Sequence, residues 1–499
     1  LWLDEVALYF QIKARSYGAL FRLGVGGNQG APAAYLLLTK LAILSISTIE
    51  VATRLVAFVA GLGAVFTTSA IAVRAFKDTF TRVVACLLVS SSPLLIHYSS
   101  EGKQYMLDTF IASLVILAFL KYEAKECTLR TLLPLGIVVV WFAHSAPLVL
   151  CACGIVLMVR EFKRREYREL FKLVAVASVW VVSFAFHAST NMRSLLSNGP
   201  LYMYWRSGLA PWNKGLVEVG AWAYSAWFNF LMFIFAPSTY RAGVDGETDR
   251  WIDLWVTILL AAMFLGLVQL WRKKSVIAPY VTSLFAIVFA IAACRLSPFS
   301  SRIILYLVPW VLFCLAACVG GVASASRGRL VRWGASAALL VVIGGVSFSI
   351  SLTRFAYPLD KNDIKGAISF LSKERKPEEQ LLIQDSDLRT FAVYARRYKL
   401  PWGRISTFRW SVNALPVTQA RLVKAITASS TKSVWVVGAF RSYQVKESLA
   451  FIESGCCTVV KRQDTPGSVV ALVVRKDKKA LIGQRGQALP QNGPISGDR

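Results

Sequence analysis

Apolar residues fill roughly the first 350 positions in blocks of about 15 to 22, the length a helix needs to cross a bilayer core. The pattern predicts ten spans: Thr53–Val73, Val83–Tyr98, Tyr105–Lys121, Thr131–Ala143, Ala146–Val159, Lys172–His187, Ile252–Leu270, Val276–Ala293, Ile303–Val322 and Trp333–Leu352. Two further apolar segments stand apart. Ala31–Ser47 is interrupted by Lys40, and counting it as a span would invert the charge pattern of every later connection. It is read as lying in the outer interface or dipping into it. Trp222–Phe235 is read the same way, since its aromatic residues suit an interfacial segment.

From about Asp360 the pattern becomes that of a water-soluble domain. Ile364–Ser372, Asp387–Tyr398, Gln419–Ala428 and Lys446–Glu453 read as helices. Gln380–Gln384, Ser433–Ala439, Thr458–Arg462 and Ser468–Arg475 read as strands, giving a small α/β domain. Lys478–Arg499 is polar and contains Gly and Pro, the composition of a disordered tail. The expected organisation is an all-α polytopic membrane domain over 1–352, an extracytoplasmic α/β domain over 353–477 and a tail over 478–499.

Basic residues cluster in every second connection: Arg74/Lys77/Arg82, Lys121/Lys125/Arg130, the run from Arg160 to Lys172, Arg272/Lys273/Lys274 and Arg327/Arg329/Arg332. The positive-inside rule makes these connections cytoplasmic. Asp4-Glu5, Tyr98–Gln104, the long connection from Ala188 to Trp251, Cys294–Arg302 and everything after Thr353 then face outward. The chain begins at Leu1 without an initiator Met, and its first residues are not a signal peptide. An outer start leads us to expect one more helix upstream, about eleven spans in all.

Composition agrees with a membrane protein: 56% hydrophobic residues, 17% charged and a mean hydropathy of +0.52. A net charge of +28 first suggests nucleic acid. The orientation sets that aside in favour of anionic headgroups or a phosphate-bearing lipid. Nine cysteines form no disulfide framework, and with three histidines no Cys/His set has zinc spacing. No metal site is assigned, although Asp4 and Glu101 have the chemistry to share a divalent ion.

Ionisable residues therefore gather on the outer rim. Asp4 and Glu5 open the chain; Glu101, Lys103 and Tyr105 stand where a span begins; Arg295 and Arg302 flank Ser297–Ser301. Trp205-Arg206, Trp212-Asn213-Lys214 and Asp245–Asp249 lie in the long connection, and His144 closes another span. Such a rim suits group transfer from a lipid phosphate: a carboxylate removes a proton from an acceptor hydroxyl, and cations stabilise the departing phosphate. Lys103 offers a point charge and Arg302 a planar fork. The run Gly24–Gly30 is glycine-rich but fits neither a Walker loop nor a dinucleotide fingerprint, and reads as a flexible outer loop.

Leu1-Trp2-Leu3-Asp4-Glu5, the segment from Gln29-Gly30-Ala31-Pro32 to Leu38, Ser92-Pro93 through Tyr105, and Pro298 through Arg302 with Pro309 follow one another in an order that resembles the membrane glycosyltransferases of the GT-C fold. The nearest branch is the bacterial protein-mannosyltransferase-like and aminoarabinose-transferase-like group, including the lipopolysaccharide-core transferases of rhizobia. The resemblance implies an inverting enzyme of the bacterial plasma membrane, with a polyprenyl-phosphate sugar as donor and a cell-envelope glycan, lipid or protein as extracytoplasmic acceptor. It makes Asp4 the catalytic base and Glu5 its neighbour in the motif. Lys103, Arg302 and Arg295 become donor phosphate contacts, and Glu101, Tyr105 and His144 substrate contacts. Ala33 stands where the second proline is usual, and Gly102 and Gln104 fill variable places. The alternative within this architecture is a transporter or flippase of lipid-linked sugars, which predicts mid-span charges and an internal repeat; the spans carry few such charges and no clear repeat.

Overall fold

A computed structural model describes residues 3–26, 29–193, 199–235, 250–325, 364–398, 400, 403–408, 415–439, 442–465 and 467–476, together with isolated positions between 334 and 352. The expected span Trp333–Leu352 is described only at those isolated positions. The Arg327/Arg329/Arg332 group, Asp245–Asp249 and the tail Lys478–Arg499 lie outside the described residues. Contacts divide the chain into two units, Leu8–Tyr357 and a second comprising Leu1–Ala7 with Pro358–Arg499.

The first unit is helical. Its elements are α1 (Leu3–Ala14, whose first turn belongs to the second unit), α2 (Tyr17–Leu23), α3 (Ala33–Ser45), α4 (Ile49–Ala75), α5 (Thr79–Ser90), α6 (Pro93–Ser99) and α7 (Tyr105–Glu123). There follow α8 (Leu129–Phe142), α9 (Ala146–Arg164), α10 (Tyr167–Ser189), α11 (Gly199–Tyr204), α12 (Leu216–Phe235), α13 (Arg250–Arg272), α14 (Ala278–Ala293), a 3₁₀ segment (Ser301–Leu307) and α15 (Val308–Ala325). Among the described residues, five helical stretches are long and apolar enough to cross a membrane: α4, α7, α10, α13 and the stretch from Ser301 to Ser324. The pair α5 and α6, bent by 48° at its break, makes a sixth if it is one span. The expected spans Thr131–Ala143 and Val276–Ala293 fall in the shorter helices α8 and α14.

Burial is the reverse of a water-soluble bundle. Phe66, Phe171, Val182 and Leu265 stand exposed on α4, α10 and α13, where only hydrocarbon would receive them. The Ser301–Ser324 stretch is 94% buried and forms the centre of the packing. A Cβ on Gly266 of α13 would collide with the Cys314 carbonyl of α15, so the absent side chain is what lets these two helices meet. The chain is a multi-pass membrane protein.

The basic connections come together at one end of this unit. Arg74 bonds Glu126 at 2.7 Å, Arg160 pairs with Glu123, and the Ser275 hydroxyl donates to the Ala75 carbonyl at 2.6 Å. Lys273 donates to the Gly320 carbonyl at 3.4 Å. The aromatic residues of Trp222–Phe235 form a packed cluster. Trp227 lies 4.9 Å from Phe299 and 5.2 Å from Phe285 between ring centroids, and Phe230 is fully enclosed.

Lys40 is also enclosed. It breaks the apolar run of α3, yet it is buried at 7% exposure. Its ammonium donates to the carbonyls of Ile12 (3.0 Å), Lys13 (3.3 Å) and Arg15 (2.7 Å), acceptors left open where α1 ends. It also lies 5.4 Å from the Tyr17 ring centroid. The Gly24–Gly30 run is likewise held where it is described: Arg15 donates to the Gly24 carbonyl at 2.5 Å, and Gly26 N–H donates to Gln11 at 2.6 Å.

In the second unit, a five-stranded sheet has the order β2-β1-β3-β5-β4. The strands are β1 (Gln380–Gln384), β2 (Ile405–Phe408), β3 (Ser433–Gly438), β4 (Cys457–Thr465) and β5 (Ser468–Arg475). β1 runs parallel to β2 and β3, whereas β5 is antiparallel to both β3 and β4. Alternate residues of the central strands build two cores. Leu381, Ile383, Trp435 and Val437 face α16 (Ile364–Glu374) and α17 (Leu388–Arg397). Leu382, Val434, Val436 and Val473 face α18 (Leu415–Thr427) and α19 (Ser442–Ser454). A sheet covered on both faces needs continuous apolar runs, which is why β1, β3 and β5 are legible in the sequence. β2 is short and half polar, and the sequence reading missed it.

The Lys40 contacts generate a direct prediction. Lys40→Met keeps the bulk but strands three carbonyls, so the protein should lose about 3 kcal/mol of stability. An unchanged melting temperature in detergent would show that those carbonyls have other donors.

Candidate functional site

Opposite the basic end, the chain reverses direction between α6 and α7 in a tight turn. Lys103 N–H donates to the Glu101 carbonyl at 2.7 Å, and three of the turn's side chains, Glu101, Lys103 and Gln104, are buried. Buried charge must be partnered. One oxygen of Glu101 lies 3.1 Å from Nε2 of His97, one helical turn earlier. The Lys103 ammonium donates to the side-chain oxygen of Gln29, and the Gln104 amide donates to the Gly30 carbonyl at 2.7 Å. The turn is thereby tied to the segment that leads into α3.

A third segment joins from far along the chain. Arg302 is the second residue of the 3₁₀ segment and follows Ser301, whose φ of 31° is one that residues with side chains seldom adopt. Its guanidinium lies 5.5 Å from the Tyr105 ring centroid and 5.6 Å from that of Trp205. Two aromatic faces hold the planar fork in a fixed orientation. Tyr105 also meets Tyr98 edge to face at 5.5 Å.

One turn into α7, Asp108 is buried and accepts from the Ser145 N–H at 3.4 Å and from its hydroxyl at 3.3 Å. This ties the turn before α9 to the same helix. His144, next to that serine, has its ring 5.9 Å from His187, which itself packs 4.7 Å from Trp141. Among the described residues, Nε2 of His144 and both ring nitrogens of His187 are buried without a hydrogen-bond partner.

Of the residues expected from sequence, the structure brings together Glu101, Lys103, Tyr105 and Arg302. His144 reaches this group through Ser145 and Asp108. Arg295 lies elsewhere: it follows the last turn of α14 with φ of 63°, its guanidinium donates to the Tyr202 hydroxyl at 3.0 Å, and it lines a separate pocket. Asp4 and Glu5 occupy the first turn of α1, where carboxylates suit the helix dipole, and they belong to the second unit. Glu5 is buried at 1% exposure. No group of three or more His, Cys, Asp or Glu side chains able to hold a metal occurs among the described residues.

The sequence reading named Gln29 within a motif and Trp205 on the outer rim without giving either a role, and it did not foresee His97 or Asp108 in this arrangement. His97 carries a local signal in its four-residue spacing to Glu101. The others depend on contacts between distant segments and leave no such mark.

The sequence matches no protein-family model and no curated protein. Among solved structures, the chain is similar to ArnT from Cupriavidus metallidurans in the apo state, with 13% identity, 94% of this chain and 93% of that chain covered, and a TM-score of 0.48. It is similar also to ArnT from the same organism bound to undecaprenyl phosphate, with the same identity and coverage and a TM-score of 0.49.

Proposed function

We propose that this protein is an inverting membrane glycosyltransferase that moves a sugar from a polyprenyl phosphate to an extracytoplasmic acceptor. One observation carries the reading: three of the motifs on which the family resemblance rests meet in the helical unit. Gln29-Gly30 bonds Lys103-Gln104, and Arg302 lies over Tyr105. Motifs that are short and weak in sequence form one cationic centre in space.

The chemistry follows from charge. Leaving as a phosphate monoester of the lipid, the donor's carrier gains negative charge while the bond to the anomeric carbon breaks. Lys103 and Arg302 are apt to stabilise that phosphate as charge develops. Asp4 takes the acceptor's hydroxyl proton, and the oxygen attacks the anomeric carbon from the face opposite the leaving phosphate, which inverts it. Glu5 stands beside the base in the motif; Glu101, held by His97, and Tyr105 contact the sugar, with His144 at the margin. Placing the basic end in the cytoplasm by the positive-inside rule puts this centre on the outer side of the plasma membrane. The partners are the polyprenyl-phosphate sugar, membrane lipids and the acceptor, and nucleic acid has no place in the reaction.

Purified protein in proteoliposomes with radiolabelled polyprenyl-phosphate sugars tests the reading. Asp4→Asn should lower the rate of transfer by about 10²–10⁴-fold. Undiminished transfer by that variant rules out Asp4 as base, and lipid flipping without transfer from any donor favours the transporter reading. Arg302→Lys keeps the charge but loses the planar stack, so its KM for donor should rise about tenfold or more. An unchanged KM and rate would remove Arg302 from the phosphate site.

A further inference from the structure

Beside the cationic centre lies a second pocket of about 430 Å³, within the ~300–1,000 Å³ range of small-molecule sites. Its wall includes Arg206, Ser207, Asn213, Lys214, Trp222 and Arg295. The lining is built from two segments that the backbone locks together. Phe299 N–H donates to the Gly208 carbonyl at 2.8 Å, Ala210 N–H to the Ala292 carbonyl at 3.3 Å, and the Trp212 indole to the Ala293 carbonyl at 2.6 Å. Arg295 is held in the left-handed region, which normally favours glycine, and Tyr202 fixes its guanidinium.

Three features point to what the pocket takes. Among the described residues, three cations line it and no carboxylate does. They lie at the end opposite the basic connections, where the positive-inside rule thins out Lys and Arg. Trp222, buried at 9% exposure, stands in the wall with an indole N–H that has no acceptor among the described residues. A cluster of cations beside an indole N–H that lacks an acceptor matches a phosphate or carboxylate.

We propose that this pocket binds an anionic group, phosphate or carboxylate, on the acceptor, so that the enzyme selects acceptors carrying such a group near the hydroxyl it glycosylates. The proposal rests on the transferase reading and moves Arg295 from the donor to the acceptor side. The donor's phosphate is anchored to a polyprenyl chain and must stay close to hydrocarbon. Arg206, Asn213 and Lys214 are exposed side chains of the connection between α11 and α12, on the water side of that boundary.

The test uses the full chain in detergent and two probes, inorganic phosphate followed by ³¹P NMR and polyprenyl monophosphate. Wild-type protein should bind inorganic phosphate whether or not polyprenyl monophosphate is present at saturation. The double variant Arg206→Gln/Lys214→Gln should bind inorganic phosphate at least tenfold more weakly, with polyprenyl monophosphate binding unchanged. Phosphate binding equal to wild type in that variant overturns the proposal. So does displacement of inorganic phosphate by polyprenyl monophosphate, which would make the pocket part of the donor site. Wild-type protein that binds inorganic phosphate but no polyprenyl monophosphate would sink the donor reading and leave the anion pocket standing.

Discussion

A buried ammonium underlies the rest of this structure. Lys40 satisfies three carbonyls at the end of α1, and it does so from α3, the helix that follows Gln29-Gly30. In an apolar setting an unmet carbonyl is costly and an unpaired ammonium costlier still. Each group is therefore tolerable only because of the other, and the two helices are locked in one register. α1 carries the acidic pair in its first turn, and α3 begins where the chain leaves its contact with Lys103-Gln104. One side chain thus joins the end of α1 to α3.

The same rule accounts for the way the candidate site is built. Glu101, Lys103 and Gln104 are buried in a turn, where charged and amide groups would ordinarily destabilise the fold. Each has a partner from outside its own turn or from the helix before it: His97 for the acid, Gln29 for the ammonium, Gly30 for the amide. Arg302 comes from far along the chain and lies over two aromatic rings. A ring face orients the planar guanidinium, which is the geometry that bidentate recognition of a phosphate needs.

Much of this was legible in the sequence, for reasons that differ by element. Lipid-facing blocks such as Thr53–Val73 announce themselves because hydrocarbon demands apolar residues, and α4 extends that block only by a turn or less at each end. β1, β3 and β5 are legible because both faces of the sheet are covered, and β2 escaped because its edge position permits Ser and Thr. The site was legible as parts: acid and bases at span ends, on one predicted side. Its assembly was not, because Lys103–Gln29 spans 74 positions and nothing local in either residue encodes the other. Lys40 misled for the same reason, since a lone lysine in an apolar run reads as an interruption until its carbonyl partners are known.

The placement of charge then follows from the membrane itself. Spans must be apolar, so ionisable residues are forced to the helix ends, and helix reversals sort those ends into two groups. One group collects the basic connections with their acidic partners, such as Arg74 with Glu126 and Arg160 with Glu123. Those ion pairs neutralise one another. At the opposite end, Lys103 donates to the Gln29 amide, Arg302 lies over two rings, and Arg295 of the Arg206–Lys214–Arg295 pocket donates to a hydroxyl. Amide, ring and hydroxyl contacts aim the donors of a cation, and a membrane end that gathers several cations held in this way is suited to phosphate chemistry.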